Sequence, residues 1–112
     1  MPGRAVIARG RRSMDEGLKA FRKHIDEVDR QVVCLLARRQ LLCDAAAQLK
    51  PAGHDPRDTE REVQILARID ARAAASGLDP ELARAVWNII LAASVARQRR
   101  LLSCDCNTAS LT

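Results

Sequence analysis

The stretch from Met14 to Lys50 reads MDEGLKAFRKHIDEVDRQVVCLLARRQLLCDAAAQLK. Within it Met14, Leu18, Phe21, Ile25, Val28, Val32, Leu35, Arg39, Leu42, Ala46 and Leu49 recur at alternating spacings of four and three. That period places them in one stripe along one long helix. Every member is apolar except Arg39. A guanidinium that faces a core requires an anion there, because an unpaired buried charge is very costly. An acidic side chain opposite would supply it; failing that, the anion is a ligand.

A helix over 14–49 is about 50 Å long at ~1.5 Å per residue. That exceeds the width of one domain built from 112 residues, so the helix must protrude or pair with another chain. Pro51 disfavours helical geometry at Lys50 and ends the helix there. The breaker-rich loop Pro51-Ala-Gly-His-Asp-Pro56-Arg follows, with His54 expected to face solvent. Thr59-Glu-Arg-Glu62 fits a capping box that opens a second helix, with Glu62 reaching back to the cap amide. Its apolar face is Val63, Leu66, Ile69 and Ala73, with Ile65 beside it. Ser76-Gly77-Leu78 closes it with a left-handed glycine. Asp79-Pro80-Glu81 opens a third helix by an N-cap acid, a first-turn proline and an acid at the positive end of the dipole. That helix is expected to reach Leu102. Ile90, Ser94 and Gln98 follow one another on one of its faces, which turns polar partway along.

The composition agrees with an all-α chain. Alanine, leucine and arginine dominate, no segment alternates with period two, and the aromatics are Phe21 and Trp87 alone. A chain of this size with so long a first helix has difficulty covering its apolar stripe by itself, and an intertwined homodimer is the natural solution. The expected organisation is a basic flexible arm over 1–13, a helical domain over 14–102 and a flexible tail over 103–112.

The net charge of +5 is unevenly placed. Arg4, Arg9, Arg11 and Arg12 lie in the arm without an acid, whereas residues 14–102 hold 15 basic and 13 acidic groups. The folded part is therefore no polyanion-binding surface. Stacking aromatics and a groove-reading motif are missing, so nucleic acid is not expected as a partner. No apolar run approaches the roughly 20 residues that span a bilayer, and a cytoplasmic protein without membrane contact is expected. Cys34 and Cys43 are too far apart along one helix to bridge and read as small core residues. Cys104 and Cys106 lack the further ligands that a metal site requires, so no metal is expected.

Several polar groups are placed to act together. Arg39 and Lys50, eleven residues apart, are about 20° from alignment and roughly 16 Å apart along the helix axis. Their long side chains can converge on a ligand. Arg22 lies about 25 Å from Arg39 along the axis. It reaches that site only from an antiparallel partner helix. Each of these cations has a plainer reading, as a snorkelling surface residue or a register-setting polar residue in a helical seam. Ser94 and Gln98 could simply face solvent, and Glu62 could be only a cap.

The combination resembles a known family. Leu18-Lys-Ala-Phe-Arg22-Lys-His-Ile25-Asp-Glu-Val28-Asp29, then Leu35-Leu36-Ala-Arg38-Arg39, then Lys50, is similar to the first helix of the all-helical chorismate mutases. Asp58-Thr-Glu-Arg61-Glu62 is similar to the start of their second helix, and Ile89-Ile90-Leu-Ala-Ala-Ser94-Val-Ala-Arg-Gln98 to their third. The likeness covers about residues 14–102. It implies a three-helix chain in an intertwined homodimer, with no metal or cofactor, that converts chorismate to prephenate. It also implies roles for single residues. Arg22 crosses from the partner subunit, Arg39 binds a carboxylate, and Ser94 assists at the same end. Lys50 and Gln98 donate to the ether oxygen, Asp58 and Glu62 lie around the ring hydroxyl, and Arg61 is a supporting cation. Catalysis would rest on Lys50, Gln98 and Arg39. Pro51 departs from the pattern, because it puts Lys50 at a helix terminus rather than inside a continuing helix.

Two other functions fit the sequence. The same fold could act on a related substrate, as an aminodeoxychorismate mutase or an isochorismate-pyruvate lyase. Glu62 argues against the lyase, whose members tend to lack an acid there. A non-catalytic helical dimer with a regulatory role would need neither Arg39 nor Lys50 for its function.

Overall fold

The computed structural model describes the backbone of residues 2–111 and the side chains of residues 12–104. Three helices follow one another: α1 (Pro2–Gln48), α2 (Thr59–Ser76) and α3 (Pro80–Leu111). The fold is all-α. The chain divides into two compact units, residues 1–39 and 40–112.

In the first unit α1 is continuous and carries the apolar stripe. The helix begins at Pro2 rather than at 14, and α3 runs to Leu111 rather than stopping at Leu102. The side chains of the expected arm, up to residue 11, and of the tail from 105 onward lie outside the described residues. The stripe itself is open: Phe21 is 68% exposed, and Ile25, Val28 and Leu35 are each more than half exposed. Cys34 is exposed and Cys43 half-buried. The expected place of Cys34 in a core is therefore not reached among the described residues, and Cys43 is only partly covered.

The second unit takes in the end of α1, the loop, α2 and α3. Leu49 N–H donates to Ala46 O at 3.1 Å and Lys50 N–H to Ala47 O at 3.2 Å. These bonds reach back three residues, so the helix closes in a tight turn before Pro51. Asp58, not Thr59, is the N-cap of α2, and its Oδ1 accepts from Arg61 N at 3.0 Å. The capping box expected on Thr59 is displaced by this bond, which leaves the Glu62 side chain available for another partner. Gly77 ends α2 at φ 75°, in the left-handed region, with its N–H donating to Ala73 O. Leu78 N–H donates to the same carbonyl at 3.1 Å. Asp79 Oδ1 accepts from Glu81 N at 3.0 Å at the start of α3, as expected of an N-cap acid.

Helices α2 and α3 pack on each other. Ala73, Ala83 and Leu91 are the buried core of the described residues. Ala73 and Ala83 are small, so the two backbones approach closely where α2 turns into α3. Arg84 Nη2 donates to Asp70 Oδ2 at 2.6 Å and ties the two helices at the surface. Val63, expected on the apolar face of α2, is exposed, as is Ile89 on α3.

Candidate active site

The end of α1, the turn and loop that follow it and the C-terminal half of α3 line an open recess of about 310 Å³. Lys50 and Gln98 both line it, with Gln48, Pro51, His54 and Leu102. Lys50 gets there because α1 closes at Gln48 and the chain turns over the next two residues. Gln98 gets there because it follows Ser94 by one helical turn on α3. Both side chains are half-buried. A cationic and a neutral N–H donor therefore stand at one partly shielded place. Lys50 reaches the recess despite its position at a helix terminus. His54 is exposed and belongs to the rim.

A second recess, of about 350 Å³, lies between α2 and α3. Glu62 lines it together with Arg57, Asn88, Leu91, Val95 and Arg99. Arg57 Nε stands 3.7 Å from Glu62 Oε2, and Arg99 Nη2 stands 3.8 Å from Asp55 Oδ1. These are ion-pair distances longer than a hydrogen bond. The Glu62 carboxylate, released from the capping role, is held on the α3 side of its helix. The loop keeps its shape through Arg57 N donating to Asp55 Oδ1 at 3.0 Å and His54 N donating to Pro51 O at 3.2 Å.

Of the residues expected from the sequence, the structure brings Lys50 and Gln98 into one recess and puts Glu62 in the other. Ser94 is half-buried on α3. Asp58 caps α2, and Arg61 is exposed with its amide bound to that cap. Arg22 and Arg39 belong to the first unit, where Arg22 is exposed and Arg39 half-buried.

One pair escaped the sequence reading. Arg97 Nε donates to Asp44 Oδ1 at 3.0 Å and Nη2 to Oδ2 at 2.8 Å, a forked ion pair between α1 and α3. Hydrogen bonds from Arg97 hold the Asp44 carboxyl below its ordinary range, and the Asp44 carboxylate raises Arg97 in turn. The available signal was Asp44 itself, a lone acid in the otherwise small and apolar run Leu41-Leu42-Cys43-Asp44-Ala45-Ala46-Ala47.

The chorismate mutase type II family matches residues 21–99 of the chain. A bifunctional chorismate mutase/prephenate dehydratase of Enterobacter agglomerans is 36% identical over 94 residues, which cover 83% of this chain and 24% of that protein. A second protein so described, from Buchnera aphidicola, is 32% identical over 84% of this chain and 25% of its own length. A chorismate mutase of Methanocaldococcus jannaschii is 31% identical over 80% of this chain and 91% of its own length. No solved structure matches. The chain therefore belongs to the chorismate mutase type II family. It spans about a quarter of the length of the bifunctional relatives.

Proposed function

We propose that the chain is a chorismate mutase that rearranges chorismate to prephenate in an active site shared between two copies. The observation that carries this reading is the meeting of Lys50 and Gln98 in one recess of a chain from this family. In the rearrangement the ether C–O bond breaks as a C–C bond forms, within one molecule and without net transfer of protons or electrons. The reaction requires that a flexible dicarboxylate be folded into a near-attack conformer. It also requires that negative charge developing on the ether oxygen be stabilised.

Lys50 and Gln98 supply the second need as donors to the ether oxygen, and the cationic donor is the stronger. Arg39 and an Arg22 from the partner supply the first. Each presents a planar fork that matches a carboxylate. Ser94 assists at the Arg39 end, Glu62 and Asp58 address the ring hydroxyl, and Arg61 supports them. The open stripe on residues 14–35 supports the homodimer. Covering a large apolar side chain stabilises by roughly 1.5–3 kcal/mol, and several stand uncovered in one chain. No described helix is long and apolar enough to cross a membrane. We place the protein in the cytoplasm, in keeping with the free thiols of Cys34 and Cys43.

Purified protein offered chorismate, isochorismate and aminodeoxychorismate in parallel, with products identified by mass, tests the proposal. Prephenate from chorismate as the fastest reaction is expected. Pyruvate and salicylate from isochorismate at a higher rate would make the protein a lyase. Turnover of the amino analogue alone would reassign the substrate. No turnover by a folded dimer would leave a non-catalytic role.

A further inference from the structure

We infer that Asp44 and Arg97 are positioning residues for the rearrangement, setting the last turn of α1 against α3 so that Lys50 and Gln98 reach one recess. The inference rests on the proposed function and adds to it a pair that contacts neither recess. Three distances define the pair: Nε to Oδ1 at 3.0 Å, Nε to Oδ2 at 3.3 Å and Nη2 to Oδ2 at 2.8 Å. Both carboxylate oxygens are engaged by two different guanidinium nitrogens, so the contact fixes direction as well as distance. A lysine in place of Arg97 would hold only a point.

The pair is also more covered than Arg84–Asp70 and Arg30–Glu27. Its side chains are 33% and 20% exposed, against 60% and 40% for Arg84–Asp70 and 63% and 51% for Arg30–Glu27. It joins two elements far apart in sequence, whereas Arg30–Glu27 lies within a single helical turn.

Its position in the chain gives it leverage on the donors. Gln98 directly follows Arg97 on α3, so fixing the Arg97 backbone fixes the Gln98 backbone. Asp44 lies one turn before the end of α1. From there the path to Lys50 is helix to Gln48 and then the two short bonds, Leu49 N to Ala46 O and Lys50 N to Ala47 O. The link to Lys50 is thus helix and hydrogen-bonded turn, and the link to Gln98 is one peptide unit within α3. A donor pair aimed at one oxygen tolerates little drift: a displacement of about 1 Å costs on the order of 10²-fold in rate.

A pair that merely braced the fold would act on stability alone. The test is therefore a cycle of Asp44→Asn, Lys50→Ala and the double variant, with kcat and KM measured on chorismate for the full chain. Asp44→Asn should lower kcat by about 10- to 100-fold while KM shifts only a few-fold. In the Lys50→Ala background the same substitution should lower kcat by a clearly smaller factor than in the wild-type background, since only the weaker donor, Gln98, is left to misplace. An undiminished effect in that background, or an unchanged kcat in the single variant, overturns the inference. Arg97→Lys keeps the charge and removes the fork. It should reproduce the kcat loss in a folded protein even where Asp44→Asn folds poorly.

Amide exchange gives a readout independent of turnover. Asp44→Asn should speed exchange at Leu49 and Lys50 and leave Leu78 and Ala83 protected. Uniform loss of protection, or none at Leu49 and Lys50, overturns positioning. If wild-type protein makes no prephenate, the proposed function fails by itself, and the exchange result still decides whether this pair holds Lys50.

Discussion

Lys50 and Gln98 line a single recess, one from the turn that closes α1 and the other from the C-terminal half of α3. Removing either should therefore reduce the same step. Lys50→Ala should lower kcat/KM by about 10²–10³-fold, corresponding to roughly 3–4 kcal/mol for one lost donor to a developing anion. Gln98→Ala should cost less, because a neutral donor is weaker than a cationic one. Steady-state kinetics on chorismate check the order, and a larger loss at Gln98 would contradict it.

Arg39 is the charged member of an otherwise apolar stripe and is half-buried. Arg39→Leu should abolish mutase activity while leaving the stripe apolar throughout. The variant should form the dimer at least as tightly as wild type. Sedimentation together with an activity assay separates the two effects. Loss of both would make Arg39 a structural residue.

Sharing of the site between subunits has a direct test. Arg22→Ala and Lys50→Ala chains are each expected to be inactive alone. Unfolded together and refolded as a mixture, they should regain about a quarter of wild-type activity. Half of the dimers are then mixed, and each mixed dimer holds one intact site by two-fold symmetry. No recovery, with mixed dimers demonstrated, would place Arg22 outside the site.

Acid should weaken two ties in a defined direction. Hydrogen bonds from Arg97 hold the Asp44 carboxyl below its ordinary range, and those from Arg84 do the same for Asp70. The stability each contributes is full above the ordinary carboxylate range and is lost as pH falls through the lowered value. The double variant Asp44→Asn/Asp70→Asn should thus be less stable than wild type near neutrality, by a modest amount for groups this open to solvent. The gap should close in strong acid. Urea unfolding over a pH series measures it, and a gap that is constant with pH would refute this origin.

Gly77 stands at φ 75°, and a Cβ added there would meet nothing within 4 Å. Only the backbone conformation opposes a side chain. Gly77→Ala should destabilise by about 1–2 kcal/mol, and Gly77→Asn by less, since Asn tolerates the left-handed region. Thermal unfolding gives the comparison. Equal stability of all three would show that the cap does not set the end of α2.

Local chemistry made most of the fold legible. The four-three spacing from Met14 to Leu49 gave the long helix, Pro51 its end, Gly77 the cap of α2 and Asp79-Pro80 the start of α3. Asp58 took the cap from Thr59 because either oxygen-bearing side chain can serve, and only the backbone geometry chooses between them. The Lys50–Gln98 meeting was foreseen from the family likeness, not from spacing. Asp44–Arg97 was missed because a salt bridge between distant helices depends on which faces oppose each other, and no local pattern records that. Cys34, read as a core residue, and Val63, read as part of an apolar face, are both exposed in the single chain.

The open stripe on α1 also bears on how the protein acquires its structure. Helices α2 and α3 are neighbours in sequence and pack on each other, so their hairpin can form by contacts of short range in the chain, at a rate indifferent to protein concentration. The face around Phe21, Ile25 and Val28 has no such local cover. In the proposed dimer its ordering waits for an encounter between chains, and the second stage of refolding is then expected to be bimolecular and slower on dilution.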